Sequence, residues 1–498
     1  MNAASSGTSV SEVTLPPLGT GPFRRKLGLI SVIACLGGLL FGYDTGVANG
    51  AEGPMQAELG LSLIQLGVVI SSLVFAAAVG SLIFGRVSDA VGRRRTIIML
   101  ASMFFVGALL VVFAPGGPEF GTHTTFGLGQ LIAGRVLLGL AVGGASTTVP
   151  VYLAELAPYE IRGSITGRNE LAIVSGQLAA FVVNAILGIT LGHLDGVWRI
   201  MFAVCVLPAV ALFVGMLRMP ESPRWLVDKG REAEALAVLQ TVRLADRAEA
   251  ELREVKLVAA EENTVADPAT TGIRAIVTNS SLLKILLIGM GLRMAQEFTG
   301  VAATIMYYGQ RVLIEAGFPG DSALIANVTM GVASVVGGVI ALRNMDRLDR
   351  RTTFLIGFSL VASFHLLIGL LSVLLPEGFA ARPYILLVAM VALVFSMQTF
   401  LNVAIWVWVA EIFPLHMRGA AIGISVAAGW LVTGTLSLFV PALIDAIHIT
   451  GVFFMYGVIN VVSLLFVRRF VPETRGRTLE SLEMDVTSGR IHEFRTRG

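Results

Sequence analysis

The sequence is poor in charged residues and in cysteine. Only 14% of its 498 residues are Asp, Glu, Lys or Arg, whereas soluble globular proteins carry about 25%. A net charge of +2 gives no reason to expect a nucleic-acid partner. The two cysteines, Cys35 and Cys205, lie in apolar runs, so neither a disulfide framework nor a thiolate metal site is expected. So little charge calls for a surface that faces lipid rather than water.

Motifs of pumps and hydrolases are also missing. No Gly-x-x-x-x-Gly-Lys sequence occurs, which argues against an ATP-driven pump. No His-Glu-x-x-His or Gly-x-Ser-x-Gly occurs, which argues against the zinc peptidases and serine hydrolases that use them. We therefore expect no enzyme activity, no cofactor and no resident metal.

Long apolar segments dominate the chain, because 55% of its residues are hydrophobic. A membrane-spanning helix needs about 20 predominantly apolar residues. Residues 1–26 are polar, and we expect them to form a disordered tail. Twelve candidate spans follow, near 27–48, 64–85, 96–114, 126–149, 164–190, 196–218, 279–314, 322–342, 352–375, 384–410, 419–441 and 451–470.

The distribution of basic residues predicts the orientation. Loops on one side carry Arg86, Arg93–Arg95 and Arg162, whereas the opposite loops 49–61 and 115–125 have no Lys or Arg. Cytoplasmic loops are the ones that collect Lys and Arg. We expect a multi-pass protein of the cytoplasmic membrane with both termini in the cytoplasm, which requires an even number of spans.

The two halves of the chain repeat each other. Ala154–Pro158 with Arg162 matches Ala410–Pro414 with Arg418, and Pro220–Ser222 matches Pro472–Thr474. Such duplication suggests a transporter whose site lies between the halves. The predicted units are a six-helix bundle at 27–218, a cytoplasmic linker at 219–278, a second bundle at 279–470 and a tail at 471–498.

The linker should contain short helices. Ser222 followed by Pro223 is a typical helix start, and the stretch from Glu232 to Glu262 is charged and rich in alanine. The sequence leaves open whether this stretch is a simple linker or a latch on the ends of the bundles.

These motifs together resemble the sugar porter family of the major facilitator superfamily over nearly the whole chain. The matching segments are Leu36–Thr45, Gly85–Arg95, Gly134–Arg135, Pro220–Leu226 and Pro472–Gly476. Gly143–Thr147 and Gly167–Leu171 look most like actinobacterial myo-inositol–proton symporters. The resemblance implies an all-α membrane protein with twelve transmembrane helices in two pseudo-symmetric six-helix bundles. It also implies proton-coupled symport of a sugar or sugar alcohol, best matched by myo-inositol, by alternating access.

Asp44 and Arg135 interrupt apolar spans. A charge at mid-membrane costs about 2.5–3.5 kcal/mol on insertion scales, so it usually faces a partner or a cavity. Helix rise places Asp44 about 25 Å from the cytoplasmic start of span one and Arg135 about 14 Å from the outer start of span four. Both therefore lie in the outer half of the membrane, at compatible depth. A buried carboxylate keeps its charge beside arginine and takes up a proton when the arginine is drawn away. In the resembled family such a pair couples protons to transport; the alternative is a static pair that fixes helix packing.

A second set of charges lies at the cytoplasmic ends of the spans. In the resembled family they clamp that side shut when the protein opens outward; the alternative is a purely topological role. We expect Arg93, Arg94 and Arg162 to pair with acids there only in the outward-open state. The predicted gating residues are Asp89, Arg93, Arg94, Glu155, Arg162, Asp346, Arg350, Glu411 and Arg418.

The resemblance also implies a sugar site on spans five, seven, ten and eleven. Three positions depart from the family pattern: Glu297 and Gly429 replace glutamines, and the usual asparagine of span seven is missing from a segment one residue longer, at 300–304. Glu170 stands where hexose carriers often have glutamine. The predicted substrate-binding residues are Phe41, Glu170, Gln177, Gln296, Glu297, Tyr307, Trp406 and Trp430.

Arg293 lies four residues before Glu297, on the same helix face. The two form either a structural ion pair or a functional one, in which Glu297 accepts a substrate hydroxyl or Arg293 binds an anionic group. Symport of a sugar acid therefore stays open, as do a passive facilitator and a membrane nutrient sensor. The expected partners are a small polyol or sugar, protons and the lipid bilayer, with no obligate protein partner.

Overall fold

The computed structural model describes residues 16, 18, 22–116, 125–265, 279–344, 347–376, 378–413 and 418–474. Most of these residues are helical, as the apolar segments predict. The helices in the described residues are α1 Pro22–Leu59, α2 Leu63–Val91, α3 Arg93–Val112, α4 Thr125–Leu156, α5 Arg162–Leu191, α6 Val197–Ala203, α7 Val206–Leu217, α8 Pro223–Asp228, α9 Glu232–Val242, α10 Ala245–Val265, α11 Ser280–Glu297, α12 Tyr307–Glu315, α13 Gly320–Asn344, α14 Arg350–Leu374, α15 Arg382–Met397, α16 Val403–Ile412 and α17 Arg418–Phe470.

These helices make twelve membrane spans, as predicted. By length and composition, ten helical segments of the described chain could cross a bilayer, and the last of them has 51 residues. At 1.5 Å per residue it is about 75 Å long, more than twice the thickness of a hydrocarbon core. A break at His448, with φ of 55°, divides it into spans 11 and 12. These are eleven spans. The twelfth is span 7, which consists of the two shorter helices α11 and α12.

Spans 1 to 5 are α1 to α5, and span 6 is α6 with α7. Span 7 is α11 and α12 joined by the π-helical segment Val301–Met306, spans 8 and 9 are α13 and α14, and span 10 is α15 and α16 joined by the π-helical segment Gln398–Asn402. Most predicted bounds fall inside the observed helices, because the helix ends carry polar residues that hydropathy alone assigns to loops. The predicted gap at 442–450 is shorter in the structure, because α17 continues through most of it and is broken only at His448.

Glycines set the packing of span 1 on span 5. Gly38, Gly42, Gly46 and Gly50 are four residues apart and therefore share one face of α1. A Cβ built on Gly42 would lie only 1.8 Å from the carbonyl oxygen of Ile173 in α5. Small residues permit this close approach between membrane helices. The packing holds the glycine face of span 1 directly against span 5.

The halves meet through spans 2 and 11, spans 5 and 8, and spans 1 and 7. The end of the bundle that holds Arg86, Arg93, Arg94 and Arg350 is called the basic end below, and the opposite end the far end. Between the halves lies a cavity.

The linker helices α8 to α10 pack on the first half at the basic end. The predicted helix start is confirmed, because Ser222 Oγ accepts a hydrogen bond from Trp225 N at 3.2 Å and Pro223 is the first helical residue. Trp225 Nε1 donates to Asp89 O at 2.9 Å, and Arg247 pairs with Glu160 at 3.0 Å. These contacts favour a docked latch over a loose linker; its role stays a prediction.

Candidate substrate cavity and coupling pair

A cavity of about 930 Å³ lies between the two halves. It reaches the basic end at Arg86, Asp89 and Gly163. The eight predicted substrate residues all line it, from both halves: Phe41, Glu170, Gln177, Gln296, Glu297, Tyr307, Trp406 and Trp430. Their place on the wall is now established, whereas their contact with a substrate stays a prediction.

Asn49 closes the far end by binding the opposite half. Its Nδ2 donates to the carbonyl oxygens of Ile305 and Met306, each at 2.9 Å. Its Oδ1 accepts from Gln310 N and from Asn327 Nδ2, each at 2.8 Å. An asparagine side chain has two donors and two acceptor sites, so all four are used across the interface. The state is therefore open at the basic end and closed at the far end.

Two further residues of span 1 extend this closure. Glu52 Oε1 lies 3.5 Å from Nε of Arg311 in span 7, and Gln56 accepts a hydrogen bond from the same arginine. Asn49, Glu52 and Gln56 are spaced i, i+3, i+7, the pattern of one helix face. Sequence reasoning missed them because it ended the span at residue 48; this polar spacing is the signal that could have found them.

The structure brings Asp44 and Arg135 together. Arg135 Nη1 donates to both Asp44 oxygens at 3.0 Å, and both side chains are only 1% exposed. The pair joins spans 1 and 4, and Arg135 also lies 5.7 Å from the ring centre of Phe202. Phe41 and Thr45, one helical turn before and one residue after Asp44, line the cavity. The pair is thus sealed from water but adjacent to the wall of the cavity.

Arg293 is the centre of the second-half wall. Its guanidinium lies 4.6 Å from the ring centre of Trp406. Nη1 donates to Gln296 Oε1, and Nη2 donates to Glu297 Oε1 at 2.8 Å. The other oxygen of Glu297 accepts from Thr433 at 2.9 Å. Arg293 and Glu297 thus form an ion pair on one helix, at the wall of the cavity, and its structural or functional role stays a prediction.

The longer segment of span 7 has a structural explanation. Residues Val301–Met306 form a π-helix after Gly300, which adopts a left-handed φ of 73°. A π-bulge absorbs one extra residue within a helix and is frequent at functional sites. The extra residue therefore leaves Tyr307 on the cavity wall, and it frees the Ile305 and Met306 carbonyls that Asn49 binds.

Several polar atoms of the cavity wall have no hydrogen-bond partner among the described residues. Buried polar groups are normally satisfied, so these atoms suit a polar ligand. They belong to both halves: Asn169 Oδ1, Gln177 Oε1, Arg293 Nε, Gln398 Oε1 and Trp430 Nε1.

The comparison with known proteins agrees with this architecture. The sequence model of the family described as sugar (and other) transporter matches residues 30–485. The chain belongs to this sugar transporter family. Its members are transporters, not enzymes, as the sequence predicts.

Two curated relatives and one solved structure illustrate the similarity. The chain is 43% identical to the major myo-inositol transporter IolT of Bacillus subtilis over 92% of this chain and 93% of that one. It is 34% identical to the glucose transporter GlcP of Staphylococcus epidermidis over 92% and 97%. The inward open conformation of the xylose transporter XylE from E. coli matches with a TM-score of 0.77 and 27% identity, over 92% and 99% of the two chains.

At the basic end of this sugar transporter, the arginine pairs lie within each half. Arg93 Nε is 3.0 Å from Glu155 Oε2, and its Nη2 is 2.8 Å from Asp89. In the second half, Arg350 Nη2 is 3.1 Å from Glu411. The expectation that Arg93 pairs with acids only in the outward-open state is wrong, because acid and arginine belong to the same half and stay together when the cavity is open here.

The expected outward-open pairs of Arg94 and Arg162 stay predictions, because the basic end is open in this structure. Arg94 donates its side chain to the carbonyl oxygens of Met216 at 3.1 Å and Leu217 at 2.5 Å, in the last turn of α7, where basic side chains bind helix carbonyls favourably. Arg162 is exposed and makes no ion pair with any described acid. Asp346 and the side chain of Arg418 lie outside the described residues.

Glu221 and Glu473 hold the basic end in a way that the sequence analysis did not assign. Glu221 accepts from Arg94 N at 2.9 Å. Glu473 accepts from Arg350 N at 3.0 Å and from Arg351 N at 2.9 Å. A carboxylate at a helix N-terminus binds free N–H groups and favours the helix dipole. The repeated Pro-Glu-Ser/Thr motif was the available signal.

Proposed function

We propose that this protein is a secondary active transporter that carries a neutral polyhydroxy molecule together with a proton. The best candidate substrate is myo-inositol or a related cyclic polyol. By the distribution of Lys and Arg, the basic end and both termini face the cytoplasm, and the protein lies in the cytoplasmic membrane. The observation that carries the proposal is the sealed Asp44–Arg135 pair beside a cavity lined by amides, acids and aromatic rings from both halves.

The geometry supports a coupling cycle. With the cavity open to the cytoplasm, Asp44 is paired with Arg135, which is the arrangement expected after proton release, because an arginine favours the charged carboxylate. A proton that reaches Asp44 from the far side removes the carboxylate charge and frees Arg135. Span 1 carries both Asp44 and the cavity residues Phe41 and Thr45. Its movement therefore joins proton binding to the shape of the substrate site.

Relatives support the substrate class. The relative that is 43% identical is described as a myo-inositol transporter, and a structural neighbour at 28% identity is described as a proton:xylose symporter. A sugar acid receives less support, because the charge of Arg293 is already balanced by Glu297 at 2.8 Å.

Uptake of labelled myo-inositol into proteoliposomes tests the proposal. A pH gradient that is acidic on the far side should drive accumulation by the natural protein. Asp44→Asn should lower accumulation about tenfold or more, because a neutral residue cannot alternate between two charge states. Counterflow exchange should be retained. Asp195→Asn, which removes an exposed loop carboxylate, serves as the matched control and should accumulate normally.

Three outcomes would contradict the proposal. Undiminished accumulation by Asp44→Asn would exclude this carboxylate as the coupling group. Equilibration without accumulation by the natural protein would indicate a facilitator. Stronger competition by a sugar acid than by any neutral polyol would change the substrate class.

A further inference from the structure

Two departures from the family pattern in the second half, Glu297 and Gly429, meet Arg293 at one point of the cavity wall. Arg293 stands on span 7, Glu297 is one turn later, and Gly429 is on span 11. A Cβ built on Gly429 would lie 3.3 Å from Nη2 and 3.5 Å from Nε of Arg293, and 3.4 Å from Cγ of Glu297. A longer side chain at 429, such as the glutamine usual there, would compete with the guanidinium for this space. The absence of a glutamine at position 429 and the presence of Arg293 therefore depend on each other.

Arg293 contacts the side chains that the family pattern assigns to sugar binding. Gln296 binds the arginine through Oε1 and Asn402 Oδ1 through Nε2, the latter at 3.0 Å. Glu297 is bound by Arg293 and Thr433. The guanidinium also covers one face of the Trp406 ring. Glu297 and Trp406 are therefore better placed to hold Arg293 than to bind a substrate directly.

One hydrogen-bond donor of the Arg293 guanidinium, Nε, has no partner among the described residues, and this atom is buried. On the opposite wall, Glu170 lines the same cavity and forms no ion pair with a described residue. The two halves thus present a donor and an acceptor to the same space.

We propose that Arg293 is the specificity-determining residue of the second half, where its Nε donates to a hydroxyl of a neutral cyclic polyol while Glu170 of the first half accepts from another hydroxyl. This rests on the proposed function and names the contacts that select its substrate. A ring with a hydroxyl on every carbon offers a partner to both walls in any rotation, whereas a hexose has a ring oxygen and a hydroxymethyl group. An anionic substrate is disfavoured, because Glu297 already balances the charge of Arg293.

Equilibrium binding to the purified protein in detergent tests this, read by intrinsic tryptophan fluorescence with myo-inositol and glucose as the probes. Binding needs no proton gradient, so the result is independent of coupling. Arg293→Met/Glu297→Gln removes the guanidinium and its counter-charge together. Because a hydrogen bond from a charged donor is lost, we expect myo-inositol to bind about tenfold more weakly, while glucose changes little.

The triple variant with Gly429→Gln restores two family-type amides and should bind glucose as tightly as myo-inositol. Arg293→Lys keeps the charge beside Glu297 without the Nε donor. It guards against misfolding of the other variants and should also lose the preference for myo-inositol. Arg343→Met, an exposed arginine at the end of span 8 that does not line the cavity, is the matched control and should keep the natural preference.

An unchanged ratio of the two affinities in both the double variant and Arg293→Lys would overturn the inference. A wild-type protein that binds only sugar acids would overturn it as well. If the ratio changes as expected but Asp44→Asn still accumulates substrate, only the coupling part of the proposed function fails. If coupling holds and the ratio does not change, only this inference fails.

Discussion

Both halves of the molecule hold an arginine–acid pair within their membrane spans beside the cavity, but the two pairs are built differently. Asp44 and Arg135 join spans 1 and 4 and are both 1% exposed. Arg293 and Glu297 lie on one helix and are 4% and 12% exposed, beside the cavity. A pair between two spans can separate when the spans move, whereas a pair within one helix moves as a unit. The first arrangement suits a switch, and the second suits a fixed recognition surface.

The largest effect should come from breaking the sealed pair. Removing one partner of a buried ion pair costs about 3–5 kcal/mol, because the remaining charge is left uncompensated. We expect Arg135→Met to lower the unfolding temperature in detergent more than Arg293→Met does. Glu297 keeps its Thr433 bond and access to the cavity when its arginine is lost.

The double variant Asp44→Asn/Arg135→Met is the control for this experiment. It should recover much of the stability but not the accumulation of substrate. A larger loss of stability from Arg293→Met than from Arg135→Met would reverse the comparison and make the second-half pair the structural one.

The next effect concerns the two ends of the molecule. The far end is held across the halves by Asn49, whereas the basic-end pairs stay within each half. Asn49→Ala should shift the population at least tenfold toward the far-end-open state. The variant loses four hydrogen bonds of about 1 kcal/mol each in the closed state, whereas in the open state Asn49 would bond to water instead. Labelling of a cysteine introduced at Gln310, which is partly exposed, measures the opening.

Asn184→Ala is the matched control. Asn184 is equally buried and donates to the carbonyl oxygens of Gly46 and Val47 at 3.0 and 3.3 Å, all within the first half. It should lower stability without changing the labelling rate. Equal labelling of the Asn49 and Asn184 variants would show that Asn49 does not control opening.

The smallest effect should distinguish the repeated basic-end pairs. The Glu155 side chain is 10% exposed and accepts two hydrogen bonds from Arg93, whereas Glu411 is 27% exposed. Glu155→Gln should slow turnover about fivefold, corresponding to about 1 kcal/mol, and Glu411→Gln should slow it less. Initial rates of exchange measure this; a larger effect at Glu411 would show that the second repeat carries the clamp.

Much of the fold was predictable from the sequence because the bilayer makes local composition decisive. Twelve apolar segments had to become spans, and each charge inside one had to find a partner or a cavity. The predicted depth of Asp44 and Arg135 agrees with their contact for that reason. The helix start at Ser222 and Pro223 was also predictable, since a cap involves neighbouring residues only.

The sequence by itself therefore determined the number of spans, the repeat and the residues that needed partners. Only the tertiary structure decided which partners they have: Arg93 for Glu155, Asn327 and span 7 for Asn49, and the space at Gly429 for Arg293. Partner choice depends on distances between residues far apart in the chain, and no local pattern encodes such a distance. The environment of Trp406 is the clearest case, because Arg293, which covers its ring, lies more than a hundred positions earlier in the sequence.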